Sequence, residues 1–376
     1  MTAVDLSGGV ETGRIRDRIL VLLFAVLIAL PATLHLAGVA QSTAERERRT
    51  LAELPRFPDS TERWRSFPSQ IDSYLADRFG LRPALLAAAS RLKFGLRMPA
   101  GALVFTGKDG WLYYNGNQQI DQHTGLRLFG PDEIALWLAS LESYRRWLAD
   151  RGISFVFVIA PDKPSIYPEH LPDGIKLAAV TPADQLLAAI AAQGRIDAAD
   201  LRPALRAVKS AGDLYYKTDL HWNGIGAYFG LQAVMKGRWP SGVALPPLSD
   251  YRVESHPFVG DLNQIANLPC CSFEQELTLA LKSGSAVVAQ GRDLAPGTPN
   301  AWIESRHKTY PSVFIFGDSF ATYWAKILPD VTRRTVYLRH EIPFPTAIIE
   351  RENPDIVIYE VIQEYMFHVP KPLAPP

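Results

Sequence analysis

The sequence predicts an α/β fold in which a mainly parallel sheet is flanked by helices on both faces. Two observations support this prediction. The run at 153–160, ISFVFVIA, is continuously apolar, which is typical of a strand buried on both faces. After residue 312, short strand-like and helix-like segments alternate regularly, as in parallel strands joined by helical crossovers. Ligands of such sheets bind beyond the carboxyl ends of the strands, so that edge is where a site is expected.

The first half of the fold is predicted from local patterns. In the segment 103–114, apolar residues flank Gly107-Lys108-Asp109-Gly110, which favours a β-hairpin. Residues 131–150 carry an apolar stripe at helical spacing, and Gly152 follows as a helix-ending residue. Further helices are expected at 181–193, 201–211 and 224–236.

The second half contains an irregular part and a regular part. Residues 240–300 are rich in Pro, Gly and Ser and weakly patterned, so we expect an insertion with short strands. The regular part then supplies strands and helices in alternation. The strands are expected at 312–316, 335–339 and 356–361, and the helices at 320–328 and 346–352.

An apolar N-terminal segment determines where the protein is expected to reside. Residues 19–40 are nearly all apolar, which is long enough to cross a bilayer. Arginines precede this run, and positive charge stays on the cytoplasmic side, so residues 1–18 are a predicted cytoplasmic tail. Small residues at Gly38-Val39-Ala40 leave a cleaved signal peptide as the alternative. The length of the run favours a retained anchor.

Residues 41–100 are predicted to connect this anchor to the α/β domain at 101–376. They begin with a charged, proline-containing linker and continue as a helical stretch, which Pro83 is expected to divide in two. We interpret the helical stretch as a structural element that packs on the main domain.

The composition is that of a packed globular protein, with 47% hydrophobic and 21% charged residues over 376 positions. Lys and Arg together number 39, as do Asp and Glu, so there is no basic excess with which to bind nucleic acid. The two cysteines, Cys270 and Cys271, are adjacent and give neither a disulfide framework nor a zinc site. A disulfide between neighbours closes a strained ring, so two ordinary thiols are expected.

Two segments far apart in the chain contain the residue types of an activated oxygen nucleophile. Gly317-Asp318-Ser319-Phe320 ends an apolar strand and opens a predicted helix, whose free backbone N–H groups would point toward the serine hydroxyl. Thr218-Asp219-Leu220-His221-Trp222-Asn223 places an aspartate and a histidine two positions apart, on one face if the segment is extended. Asp219 would then accept from one imidazole nitrogen while the other takes a proton from Ser319.

Each segment also has a simpler interpretation. Asp318 and Ser319 are residue types that cap helices, and Asn223 would cap the helix that follows His221. Asp219 and His221 are metal-ligand types as well, but no third ligand follows at regular spacing, so no metal is predicted. Taken alone, each motif therefore favours a structural role.

The chain as a whole changes this balance, because several motifs occur together in a fixed order. After the apolar N-terminal segment come Glu47-Arg48-Arg49-Thr50-Leu51, Tyr74-Leu75-Ala76-Asp77-Arg78-Phe79-Gly80-Leu81-Arg82, Gly107-Lys108-Asp109-Gly110-Trp111-Leu112-Tyr113, Pro161-Asp162-Lys163, the two site segments and Pro354-Asp355-Ile356-Val357-Ile358-Tyr359-Glu360. This ordered set resembles the SGNH-hydrolase-like proteins of polysaccharide O-acetylation, the AlgJ/AlgX family of alginate O-acetyltransferases.

The resemblance implies roles for three residues: Ser319 as nucleophile, His221 as base and Asp219 as its orienting acid. It implies a circularly permuted SGNH-hydrolase-like fold, because the Asp-His pair here precedes the serine. It also implies a catalytic domain in the periplasm, held to the bacterial inner membrane by the N-terminal helix. The chain ends soon after its last predicted strand, without room for the carbohydrate-binding module of AlgX, so it looks like the AlgJ type.

The implied partners are a polysaccharide acceptor and a multispanning membrane O-acyltransferase that delivers acetyl groups, with no cofactor. Five further residues are considered for substrate binding or an oxyanion hole: Lys163, Trp222, Thr218, Asp318 and Glu360. Lys163 follows the end of a strand, Trp222 offers an aromatic face to a sugar, and Glu360 lies in the last strand. A surface lysine, a core tryptophan and a capping carboxylate are the corresponding structural alternatives.

Three functions are compatible with these features. The first is an O-acetyltransferase that moves an acetyl group through a serine ester to hydroxyls of an exopolysaccharide. The second is a carbohydrate acetyl esterase with the same triad, in which water takes the acetyl group. The third is a non-catalytic polysaccharide-binding or assembly protein, against which the intact Ser, His and Asp argue.

Overall fold

The structure is a computed structural model. It describes residues 18–26, 29–30, 33–34, 37, 52–79, 81, 84–85, 88–89, 92, 103–266, 268, 274–292, 301–340 and 343–374. The chain divides into two compact units, a smaller one of Met1–Leu96 with Gln264–Pro269 and a larger one of Arg97–Asn263 with Cys270–Pro376.

In the smaller unit the main described element is helix α1 (Thr61–Arg78). Ser60 caps it by accepting from the Arg63 N–H. The predicted anchor at 19–40 falls only partly within the described residues, and among those residues no helix is both long and apolar enough to cross a membrane. Pro83 and both cysteines, Cys270 and Cys271, lie outside the described residues.

The larger unit contains the strands and most of the described helices. The strands are β1 (Val104–Thr106), β2 (Leu112–Tyr114), β3 (Ser154–Ala160), β4 (Ala198–Asp200), β5 (Tyr251–Phe258), β6 (Glu274–Leu281), β7 (Val287–Gly291), β8 (Ala301–Ser305), β9 (Ser312–Gly317), β10 (Arg334–Arg339) and β11 (Ile356–Ile362). The helices are α2 (Gln119–His123), α3 (Pro131–Ala149), α4 (Lys163–Ile166), α5 (Pro182–Gln193), α6 (Arg202–Ala207), α7 (Gly224–Met235), α8 (Asp261–Ile265), α9 (Ala321–Ile327) and α10 (Thr346–Glu352).

Within the described residues, seven strands form one sheet in the order β4-β3-β11-β9-β10-β8-β7. The first five are parallel, and β8 and β7 extend the sheet in antiparallel fashion. β1 pairs with β2 and β5 with β6 in two separate antiparallel hairpins. The predicted α/β class with a mainly parallel, helix-flanked sheet is therefore confirmed.

Alternate side chains of the central strands enter two hydrophobic layers, because successive residues of a strand point to opposite faces. One layer packs the sheet against α7 and α9 and includes Val156, Val158, Ile315, Ile358, Leu231 and Trp324. The other packs it against α3 and α5 and includes Phe155, Phe157, Phe314, Val357, Leu141 and Leu186. Burial on both faces explains why these strands read as continuous apolar runs.

The predicted strands at 153–160, 312–316, 335–339 and 356–361 are confirmed, with bounds that differ by at most one residue. The strands expected within 240–300 are present: β5 and β6 run for eight residues each, longer than the short strands predicted, and β7 joins the main sheet. β5 is mostly solvent-exposed, so its side chains carry little of the apolar alternation by which a strand is recognised. The short strands β4 and β8 were not predicted.

Candidate active site

Ser319 lies in the tight turn between β9 and α9, at the carboxyl edge of the parallel strands. Gly317 makes this turn possible, since a Cβ there would stand 2.7 Å from Glu360 Oε2 and 2.8 Å from the Ala321 Cβ. Tyr337 donates a hydrogen bond of 2.8 Å from its hydroxyl to the Asp318 carbonyl. The turn thus packs closely against Glu360 of β11 and Ala321 of α9, and it is hydrogen-bonded to Tyr337 of β10.

Asp318 supports the turn from beneath rather than facing substrate. Its Oδ1 accepts from the Phe320 N–H at 2.9 Å and its Oδ2 from the Ile362 N–H at 2.7 Å. Asp318 therefore bonds the turn rather than capping α9, whose N-cap is Phe320 and has no side-chain cap, while the Ser319 hydroxyl is left for another partner. Asp318 is 1% exposed, so it lies below the surface that a substrate would reach.

Glu360 is the second carboxyl group under the turn, and it is fully buried. Its Oε2 accepts from the Asp318 N–H at 3.0 Å. Burial and the nearby Asp318 charge raise the pKa of Glu360 well above its ordinary value. Glu360 is consequently a buried hydrogen-bond partner of the turn and not a lining residue of the site.

The three residues of the predicted triad are brought together. The Ser319 hydroxyl lies 2.7 Å from His221 Nε2, and His221 Nδ1 lies 2.7 Å from Asp219 Oδ1. Because Asp219 accepts, Nδ1 carries the proton and Nε2 is left to accept from the serine. The arrangement is a continuous hydrogen-bonded chain from hydroxyl to carboxylate.

A closed loop presents the Asp-His pair. The Asn223 N–H donates to the Leu214 carbonyl at 2.9 Å and the Tyr216 N–H to the His221 carbonyl at 3.2 Å, which closes the base of the loop. Asp219 Oδ1 also accepts from the His221 N–H at 2.9 Å. The spacing of Asp219 and His221 suggested an extended segment with both side chains on one face. In the structure the two side chains meet through a bend instead.

The electrostatics favour an ionised Asp219 beside a basic His221. Burial opposes ionisation of Asp219, but the hydrogen bond and charge of His221 outweigh it and lower the pKa of Asp219 to about 2. Burial likewise lowers the pKa of His221, yet the hydrogen bond and charge of Asp219 leave that pKa above its ordinary value. The side chain of His221 is 18% exposed, so the triad opens to solvent on the histidine side.

Two residues that sequence reasoning missed hold this loop from the β5–β6 region. Glu274 accepts from the Lys217 and Thr218 N–H groups, each at 2.6 Å, and also from the Thr218 hydroxyl. Asp261 accepts from the Leu220 N–H at 2.9 Å. Both lie far along the chain from His221, and no spacing in the sequence connects them to it.

Asp261 completes a set of three ligand-type side chains, with Asp219 and His221, whose ligand atoms lie within 4.8 Å of one another. His221 Nδ1 already donates to Asp219, however, and a metal at that nitrogen would have to displace this proton. In this structure the cluster is a hydrogen-bonded pair with a second carboxylate beside it.

Three further residues proposed for substrate binding are occupied by protein partners. Trp222 is fully buried and donates from Nε1 to the Phe320 carbonyl at 3.1 Å, so it offers no face to a sugar. Thr218 is bonded to Glu274, as described. Lys163 is buried and donates to the Leu112 and Lys217 carbonyls at 2.8 and 3.1 Å. Burial lowers the pKa of Lys163 to about 8.

The buried Glu360 leads to a prediction about stability and pH. A carboxyl group whose pKa is raised on folding gives stability that is complete below its ordinary pKa of 4.5 and is lost as pH rises toward the folded-state value. Glu360→Gln removes this titration while keeping a neutral hydrogen-bonding group. Urea unfolding is measured from pH 4 to 8. The free energy of unfolding of the variant, relative to that of the wild type, should increase by up to about 1.4 kcal/mol for each pH unit. A difference that does not change with pH would contradict the raised pKa of Glu360.

Comparison with known proteins places the chain in a family. The model of the SGNH hydrolase-like domain of the acetyltransferase AlgX matches residues 104–293, which contain Asp219 and His221 but not Ser319. A probable alginate O-acetylase AlgJ of Pseudomonas syringae pv. tomato is 30% identical over 162 residues, 42% of this chain and 40% of that protein. The AlgJ homologue of Pseudomonas aeruginosa is 32% identical over 124 residues, 33% of this chain and 30% of that protein. The matched region thus spans two fifths or less of these relatives.

Among solved structures, Bacillus cereus PatB1 with a sulfonyl adduct shares the fold, with a TM-score of 0.55 and 18% identity over 71% of this chain and 97% of that one. The family model covers half of the chain, and the protein therefore belongs to the SGNH hydrolase-like acetyltransferase family of AlgX and AlgJ.

Proposed function

We propose that this protein is a serine-dependent O-acetyltransferase that carries an acetyl group on Ser319 and passes it to hydroxyls of an exopolysaccharide. The observation that supports the proposal is the hydrogen-bonded chain Ser319–His221–Asp219, with distances of 2.7 Å at both links. A serine, an imidazole with a free Nε2 and a buried carboxylate are the parts of an acyl-transfer nucleophile.

In the first half-reaction, Ser319 Oγ attacks the carbonyl carbon of an acetyl ester while His221 Nε2 takes the hydroxyl proton. The new C–O bond gives a tetrahedral intermediate. Its oxyanion is best stabilised by the backbone N–H of Ser319, since the neighbouring N–H groups of Asp318 and Phe320 bond to carboxylates. When the intermediate collapses, the bond to the donor oxygen breaks and His221 returns the proton to that oxygen. Acetyl-Ser319 remains.

In the second half-reaction, a sugar hydroxyl attacks acetyl-Ser319, and His221 takes the hydroxyl proton and then gives it to the departing Ser319 Oγ. A cleft of about 570 Å³ lies beside α9, the helix that follows Ser319, and we assign the acceptor to it although the triad side chains do not line it. Its lining includes Thr322, which donates to the Ser319 carbonyl at 2.5 Å, and also Trp302, Lys326 and Arg292. Cations bind carboxylates and aromatic rings cover apolar sugar faces, but Lys326 already pairs with Glu276 at 3.4 Å and Arg334 lies over the Trp302 ring.

The location and partners belong to the same proposal. We place residues 19–40 in the bacterial inner membrane and the triad in the periplasm, on the strength of the apolar run and the arginines before it. A periplasmic acetyl acceptor needs a donor that crosses the membrane, and a multispanning O-acyltransferase is the partner that would supply it. The names of the relatives make alginate the first polymer to test as acceptor.

The full-length protein in detergent can be tested with 4-nitrophenyl acetate as donor and alginate oligosaccharides as acceptor. We expect acetylated oligosaccharides by mass spectrometry, together with nitrophenol release that is lost in the His221→Ala variant. Free acetate without acetylated glycan, across several glycan acceptors, would instead establish an esterase. No turnover of the ester by correctly folded protein would exclude both enzymes and leave the non-catalytic role.

A further inference from the structure

A second carboxylate faces the catalytic histidine on the same side as Asp219. Asp261 Oδ2 lies 3.8 Å from His221 Nδ1, whereas Asp219 Oδ1 lies 2.7 Å from it. Two hydrogen bonds connect Asp261 to the loop that carries Asp219. The Asp261 N–H donates to Asp219 Oδ2 at 2.9 Å, and Asp261 Oδ1 accepts from the Leu220 N–H at 2.9 Å. Asp261 thus lies near His221 but beyond hydrogen-bond distance of Nδ1, so it acts on the imidazole through its charge.

The two carboxylates differ in their titration. Asp219 keeps its low pKa because His221 donates to it, whereas burial and the Asp219 charge raise the pKa of Asp261 to about 7. Asp261 is also the more exposed, with 32% of its side chain accessible against 10% for Asp219. Asp219 is therefore ionised in the neutral pH range, whereas Asp261 changes its charge within that range.

We infer that Asp261 is a positioning residue that sets the pH range in which His221 acts as a base, in addition to holding the loop that carries Asp219. The inference rests on the proposed function, since it assigns to the same triad its dependence on pH. It concerns a residue that acts through His221 and does not itself touch the substrate.

The charge of Asp261 acts on His221 in two ways. An anion near Nδ1 favours the imidazolium, so His221 holds its proton to higher pH and is a free base over a narrower range. The same anion stabilises the imidazolium that forms when Ser319 loses its proton, so the ionised form also raises the rate once His221 is free. Removing the charge should therefore extend activity toward acid while lowering the maximum rate.

Other titratable groups face Asp261 from each neighbouring element, and their charges are part of the same balance. Asp219 raises its pKa, while His221 and Lys163 lower it. Burial raises the pKa of Tyr114 and of Glu364, and the Asp261 charge adds to each after the charges of other carboxylates. Asp318 adds to the effect on His221. Because Asp261 and His221 titrate together, the acid limb of the wild-type profile belongs to the pair.

Two variants separate the charge of Asp261 from its geometry. Asp261→Asn keeps an oxygen that accepts from the Leu220 N–H but removes the charge. Asp261→Glu keeps the charge but displaces the oxygen from Leu220. The kcat/KM for 4-nitrophenyl acetate is measured from pH 5 to 9, with Asp250→Asn, an exposed carboxylate at the start of β5, as the matched control.

We expect Asp261→Asn to shift the acid limb down by about one pH unit and to lower the plateau several-fold. Asp261→Glu should keep the wild-type limb at a reduced rate, and Asp250→Asn should change neither. A limb that stays in place in Asp261→Asn, or that moves equally in Asp261→Glu, would overturn the inference. Loss of the whole proposed function is a different result, since it would appear as unchanged ester turnover in a Ser319→Ala variant.

Discussion

Replacing Ser319 by alanine is expected to reduce acetyl-ester turnover by about four orders of magnitude or more while leaving the fold intact. The hydroxyl is the proposed nucleophile and lies 2.7 Å from His221 Nε2, so its loss should remove the covalent step entirely. The turn itself does not depend on the hydroxyl, because Asp318 and Tyr337 hold it. Ester turnover and thermal unfolding should be measured on the same preparation.

The matched control for this prediction is Ser255→Ala. Ser255 is an exposed serine of β5 whose hydroxyl donates to the Gln275 side-chain oxygen at 2.7 Å. Its removal should leave turnover unchanged, since it lies outside the triad. If Ser319→Ala retained a tenth or more of the wild-type rate, the nucleophile would have to be another group and the proposed mechanism would fail.

Replacing Asp318 by alanine is expected to destabilise the protein by about 3 kcal/mol or more and to abolish turnover. The carboxylate satisfies the buried N–H groups of Phe320 and Ile362, and each buried donor left without a partner costs about 1–3 kcal/mol. Because the turn before Ser319 is built on these bonds, we expect the serine to leave the range of His221.

Urea unfolding at pH 7 measures the loss of stability in Asp318→Ala. Ester turnover, measured at a urea concentration well below the unfolding midpoint, shows whether activity is lost in the folded protein. Asp173→Ala is the matched control, because Asp173 is a largely exposed carboxylate whose partner is the surface residue Lys108. It should change the free energy of unfolding by less than about 0.5 kcal/mol. A comparably small effect of Asp318→Ala would show that the turn is held by contacts other than the carboxylate.

The central fold was predictable because its strands are buried on both faces. Such strands are long apolar runs, and the β9 turn with Gly317 and Ser319 follows from one of them directly. The Asp-x-His spacing also carried information, although the pair meets through a bend. What local sequence cannot supply is the direction of a side chain after the backbone has folded. Lys163 and Trp222 were plausible substrate contacts by residue type, yet both point into the protein.

Asp261 and Glu274 were beyond sequence reasoning for a different reason. They reach the Asp-His loop only because the β5–β6 hairpin packs against it, and the mostly exposed β5 has little apolar alternation to reveal it. Carboxylates are also common on exposed segments, so their residue type alone gives no signal. The region predicted as an insertion with short strands therefore supplies the carboxylates that bond the loop of Asp219 and His221.

The most direct test of this account is to identify the residue that carries the acetyl group. Wild-type protein is mixed with 4-nitrophenyl acetate, quenched in acid within the first turnovers and digested for mass spectrometry. We predict one added acetyl group on the peptide that contains Ser319, reached at a rate sufficient for turnover and absent from Ser319→Ala. Turnover that proceeds with no acetyl group on Ser319, or with the group on another residue, would contradict the central claim.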